Sequence, residues 1–176
     1  MRNADVRLER LENSRIQLEQ LLQGYSAEQL NKTPPPGGWS PAEVLKHILD
    51  VESATLSYCV HKLQKHGAEL KPVGFREKRN AFLLRLALRS PLRFRVPSAL
   101  PEVKGPYDAD ALLRQWTEVR ERYREFVRSY PPALEKAGLF RHPRSGMLSL
   151  EQTLAFLQAH LNRHLKQLKR ALPGSA

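Results

Sequence analysis

Cysteine is nearly missing from this 176-residue chain: Cys59 stands alone, so no intrachain disulfide can form. A single thiol in an apolar helical stretch is usually a small buried residue rather than a nucleophile. The chain also has no apolar run near the ~20 residues that a membrane span needs. Its first residues, Met1 to Arg10, are charged and already helical in period, so no secretory signal is expected. With the unpaired thiol, this points to a reducing, cytoplasmic setting. Acidic residues are outnumbered, 18 Asp and Glu against 29 Lys and Arg, which leaves a net charge of +11. Such an excess suits an anionic partner (nucleic acid, membrane surface or acidic ligand) and equally a plain solvated surface. No helix-turn-helix or zinc-finger motif occurs, which argues against sequence-specific DNA reading.

What is present is helical. The length fits one domain, residues 1–176, with enough chain to bury a core. Leu8, Leu11, Leu18, Leu21 and Leu22 recur at helical spacing from about Ala4 to Gln23, and Gly24 ends the run. Ser26 and Gln29 are spaced for one extra capped turn. After a Pro- and Gly-rich link, Ser40 is a natural N-cap, Pro41 fits the first helical position and Glu43 completes a capping box. Val44, Leu45, Ile48, Val51, Leu56, Val60 and Leu63 carry this second helix to about Gln64. Residues 66–107 are broken by prolines and read as a long crossover, with a short helix possible over 80–89. A third helix follows Asp108 and stops at Pro131-Pro132; a fourth opens at Ser149, with Gln152 in the capping position, and runs to Pro173. No convincing strand is seen. The expected fold is all-α, a four-helix bundle with a long crossover between helices two and three. The short first link predicts that helices one and two are antiparallel neighbours; the long one lets helices two and three run parallel.

The chemistry lies in the histidines. His160 and His164 are four residues apart, so on a helix they share one face and their imidazoles can converge on one metal ion. His47 lies about two turns into the second helix, ~10 Å from its start. It can join the pair only if helices two and four are neighbours at matching heights. Three imidazoles with open positions would make a catalytic rather than a structural site; three histidines that merely found hydrogen bonds are the plain alternative. His61 sits ~21 Å beyond His47 along the same helix, too far to share an ion. His66 falls at the helix end. His142 lies ~16 Å or more before His160 along the axis and, next to Pro143, reads as part of a shaped turn. Leu161 occupies the position of the base in His-Glu-x-x-His, so the usual metalloprotease signature is absent. Gln167 shares the face of His164 and could hydrogen-bond a ligand. Glu43 belongs first to the capping box, with a contact to the His47 ring as its other possible role.

The run Gly37-Gly38-Trp39-Ser40-Pro41-Ala42-Glu43-Val44-Leu45-Lys46-His47 closely resembles the entry to the second helix in the DinB-like (DinB/YfiT) superfamily. The stretch from Phe140 through His142 and Gly146 to Phe156, His160, His164 and Gln167 is similar in order and spacing to the end of those proteins. The resemblance implies a divalent metal, zinc or nickel, held by His47, His160 and His164. It implies a homodimer, and a transferase that joins a low-molecular-weight thiol to a small electrophile. A thiol held by such an ion would be in its reactive thiolate form, so no protein nucleophile would be needed.

The segment Arg76 to Arg95 does not belong to that resemblance. Arg76, Lys78, Arg79, Arg85, Arg89, Arg93 and Arg95 make it unusually basic. A solvated face is one reading. A cationic lid that draws an anionic ligand to the site, through Arg85 and Arg89, is the second. A non-catalytic module that uses residues 75–95 to contact nucleic acid or an anionic surface is the rival to the enzyme.

Overall fold

Local signals place the helix starts. Ser40 accepts from the Glu43 backbone N–H while Glu43 accepts from that of Ser40, and Pro41 follows the cap. Ser26 with Gln29, and Ser149 with Gln152, repeat this reciprocal arrangement; Asp108 caps another helix by accepting from Ala111. The structure is a computed structural model describing residues 2–35, 37–90 and 102–173. Its helices are α1 (Asn3–Leu22), α2 (Ala27–Asn31), α3 (Pro41–His66), α4 (Phe75–Arg89), α5 (Ala109–Ser129) and α6 (Leu150–Ala171).

The four long helices α1, α3, α5 and α6 form the bundle. Each packs against two others in the ring α1–α6–α3–α5, so α1 and α3 lie across the diagonal. Sequence proximity predicted them as neighbours; the core is better closed with α6 between them. Directions follow from side-chain pairs. Arg7 meets Glu151 and Ser14 meets Gln158 at the same offset, so α1 and α6 run parallel. Arg2 donates to the carbonyls of Val127 and Tyr130 at the end of α5, while Glu12 meets Arg120 and Arg124, so α1 and α5 are antiparallel. Early α3 meets late α6, whereas Tyr58 on late α3 meets Phe140 ahead of α6, so these two are also antiparallel. Hence α3 and α5 are parallel, which only a long crossover permits.

That crossover is less irregular than its prolines predict. It contains α4, which begins at Phe75 rather than near residue 80 and lies on α6. Arg93 and Arg95 lie outside the described residues. A second difference is a small antiparallel hairpin, β1 (Phe140–His142) and β2 (Gly146–Leu148), with Gly146 at φ +79° in its turn. Three-residue strands leave no periodic signature in sequence. Their partners are α3 and α4 as much as each other.

The core is mainly leucine, with Trp116 and Tyr123 fully buried. One polar group crosses it. The buried Glu52 carboxylate accepts from Trp116 Nε1 (2.6 Å) and Arg120 Nη2 (2.7 Å), and the Glu52 carbonyl accepts from Tyr123 (2.9 Å). Burial pushes the Glu52 carboxyl up and the Arg120 guanidinium opposes it. This network ties α3 to α5 in one register.

Candidate metal centre

The antiparallel contact of α3 with α6 brings His47 to the height of His160 and His164. One ring nitrogen from each of the three lies within 4.8 Å of the others. His47 Nε2 and His160 Nε2 are 3.3 Å apart. Two nitrogens held ~2.0–2.1 Å from one tetrahedral ion would be roughly 3.4 Å apart, so this spacing suits a shared divalent ion. All three residues are largely buried, at 4%, 9% and 9% exposure.

The electrostatics keep all three neutral. Burial lowers the His47 pKa against the pull of Asp50. Burial, then the neighbouring His164 and His47, push His160 well down. Burial and His47 bring His164 to about 4, while its bond to Gln167 acts in the opposite sense. Neutral imidazoles offer lone pairs, which is what a metal requires. Three of them crowded without a carboxylate would repel one another if protonated, and a divalent cation relieves that conflict.

The surrounding side chains hold these rings in place. Gln167 Oε1 lies 2.9 Å from His164 Nδ1, which puts the proton on Nδ1 and leaves Nε2 as the donor atom. Trp39, in the turn before α3, packs its ring 4.9 Å from that of His47. Phe156 lies one turn before His160 with ring centres 5.8 Å apart. Glu43 is engaged elsewhere: its carboxylate accepts from the Ser40 N–H (2.8 Å) and the Gly105 N–H (3.0 Å), closing the capping box and anchoring the end of the crossover.

The trio lines an open cavity of about 1850 Å³. Arg85 and Arg89 of α4 lie on its wall, together with Arg163 and Lys166 of α6, which sequence reading did not single out. Their helical spacing beside His160 and His164 was the available signal. His142 is not remote. The hairpin returns the chain so that its ring sits 4.7 Å from that of Phe156 and lines the same cavity. Its Nδ1 accepts from the Arg144 and Ser145 N–H groups (3.2 and 3.3 Å), which bears out the shaped turn. His61 is exposed, and His66 pairs with Glu69, both away from the trio.

A four-helix bundle of parallel and antiparallel pairs, with a three-histidine cluster between facing helices and open to a cavity, is an arrangement that could hold a divalent metal. The chain belongs to the DinB superfamily, whose model matches residues 10–168. Among solved structures it is similar to YfiT from Bacillus subtilis, described as "a probable metal-dependent hydrolase with an unusual four-helix bundle topology". That likeness has 20% identity and a TM-score of 0.56, and covers 95% of this chain and 86% of YfiT. No curated protein matches the chain.

Proposed function

We propose that this chain is a divalent-metal-dependent enzyme acting on small molecules, and that it transfers a low-molecular-weight thiol to an electrophile. The observation that carries this reading is the convergence of three neutral, buried imidazoles on one point at the wall of an open cavity. His47, His160 and His164 are the ligands, with zinc or nickel the ions that suit them. When bound, such an ion supplies Lewis acidity and favours the thiolate form of a thiol. Gln167 orients His164, Trp39 braces His47, and the stacked rings of Phe140 and Phe156 give the cavity an apolar wall beside His160. The thiol proton leaves to solvent, sulfur forms a bond to the electrophilic carbon, and the leaving group departs with the electrons of the broken bond. No protein nucleophile takes part: Cys59 is buried and its thiol is pushed up to about 12.

The enzyme is taken as cytoplasmic and homodimeric in this reading. Purified without affinity tag or chelator, the protein should carry about one divalent ion per chain by plasma mass spectrometry, and His164→Ala should carry none. Unchanged metal in that variant would sink the assignment. Hydrolysis, the activity ascribed to YfiT, would use the same trio; consumption of thiol in step with electrophile separates the two reactions.

A second reading has its own observation. Phe75, Phe82, Leu83 and Leu86 of α4 are exposed beside Arg76, Lys78 and Arg79. Such a face suits a binding module on an anionic surface, with nucleic acid the less favoured partner. Retention on anionic vesicles that falls steeply with salt, by a protein that refuses metal, would favour it over the enzyme.

A further inference from the structure

Every Asp and Glu is missing from the lining of the metal cavity among the described residues, whereas Arg7, Arg85, Arg89, Arg141, Arg163 and Lys166 are all on it. Arg7 of α1 and Arg85 and Arg89 of α4 form one part of this lining. Arg7 donates through Nε and Nη2 to Glu151 (3.1 and 2.7 Å). Beside it, the half-buried Arg85 is held below its usual pKa by burial and by the positive charges of Arg7 and Arg89, with only Glu151 acting against them. No carboxylate among the described residues pairs directly with Arg85 or Arg89. Glu151 thus serves both Arg7 and Arg85, with the charge of Arg89 acting on Arg85 as well, and like charges gathered on a low-dielectric wall repel. An ordinary solvated surface would disperse them.

The same wall is fixed relative to the trio. Arg163, adjacent in sequence to His164, donates to the Ser90 carbonyl at 2.9 Å and so ties the end of α4 to the histidine-bearing stretch of α6. The cationic wall and the histidine trio therefore occupy set positions in one cavity of about 1850 Å³.

We infer that the substrate carries two negative charges, as carboxylates or phosphate, and that Arg85 and Arg89 grip them while its reactive end reaches the histidine trio. The position of the reactive end rests on the proposed function; the charge recognition does not. Guanidiniums suit this task because their planar forks bind such oxygens bidentately.

Calorimetric titration of the full chain with three thiols tests it: 2-mercaptoethanol, 3-mercaptopropionate and mercaptosuccinate, with zero, one and two carboxylates. Affinity should rise about tenfold per carboxylate, the effect of one charge-assisted hydrogen bond. R85Q combined with R89Q should flatten the series. Succinate, which has no sulfur, should still bind, and should do so in His164→Ala as well. Inorganic phosphate, titrated the same way, tells a carboxylate site from a phosphate site by which of the two binds more tightly. A flat series, with neither succinate nor phosphate binding, would overturn the inference and leave the metal and thiol reading standing. Equal affinity for succinate and mercaptosuccinate would uphold it and remove the thiol from the proposed reaction.

Discussion

The Gln167 side-chain oxygen lies 2.9 Å from His164 Nδ1, one helical turn away on the cavity side of α6. This bond selects the tautomer in which Nε2 is free, so the orientation of one imidazole depends on a residue outside the trio. Replacing Gln167 with Leu keeps the helix and removes the acceptor. Metal affinity should fall about 10–100-fold, measured by competition with a chelator. An unchanged affinity would mean that packing alone holds the ring.

His142 gives a pH dependence with a definite sign. Burial, then Arg144, lowers its pKa from 6.5 to about 4 in the folded chain. The unfolded chain therefore takes up this proton first. The contribution to stability is complete above pH 6.5 and is lost as the pH falls towards 4. The rings of His47, His160 and His164 are shifted the same way, and His142 adds to the lowering of His160, so the difference between the parent and His142→Gln reports the His142 ring together with its coupling to His160. Denaturant melts should show the parent losing about 2 kcal/mol relative to the variant across that window, after allowance for solvent at the ring's edge. A difference that does not change with pH would mean the ring titrates normally.

Cys59 should be silent in the native protein. It is 1% exposed, and burial pushes its thiol up to about 12. A thiol-reactive chromophore should label no cysteine in buffer and one per chain in strong denaturant. Fast labelling under native conditions would restore it as a candidate nucleophile.

Glu52 and Arg120 are each 1% exposed and joined at 2.7 Å, so removing one deprives the other of its nearest opposite charge. Glu52→Ala should lose about 3–5 kcal/mol in urea melts, because Arg120 would keep a buried charge whose remaining carboxylate, Glu12, is 3.9 Å away. Replacing the pair together with apolar residues should cost much less. Equal losses for the single and double changes would indicate that the Trp116 and Tyr123 contacts, not the charge, carry the effect.

Much of this protein is written locally. Ser40 with Glu43, and Ser149 with Gln152, start their helices by bonds that span three residues, so reading the chain finds those boundaries. His160 and His164 share a face because helical geometry alone requires it, and the apolar stripes establish that long helices must bury a side. The basic balance and the near absence of cysteine are likewise set by composition. Only tertiary structure decided the rest. That α3 lies against α6 rather than α1, and antiparallel to it, is what brings His47 to the other two histidines across more than a hundred residues. No local preference encodes such a choice, since it depends on which pairing of helix faces closes the whole core. The short hairpin was hidden because three-residue strands carry little preference of their own and neighbouring helices hold them in place; α4 is made of good helix formers, and what its sequence lacks is a side-chain cap at Gly74 to mark the start.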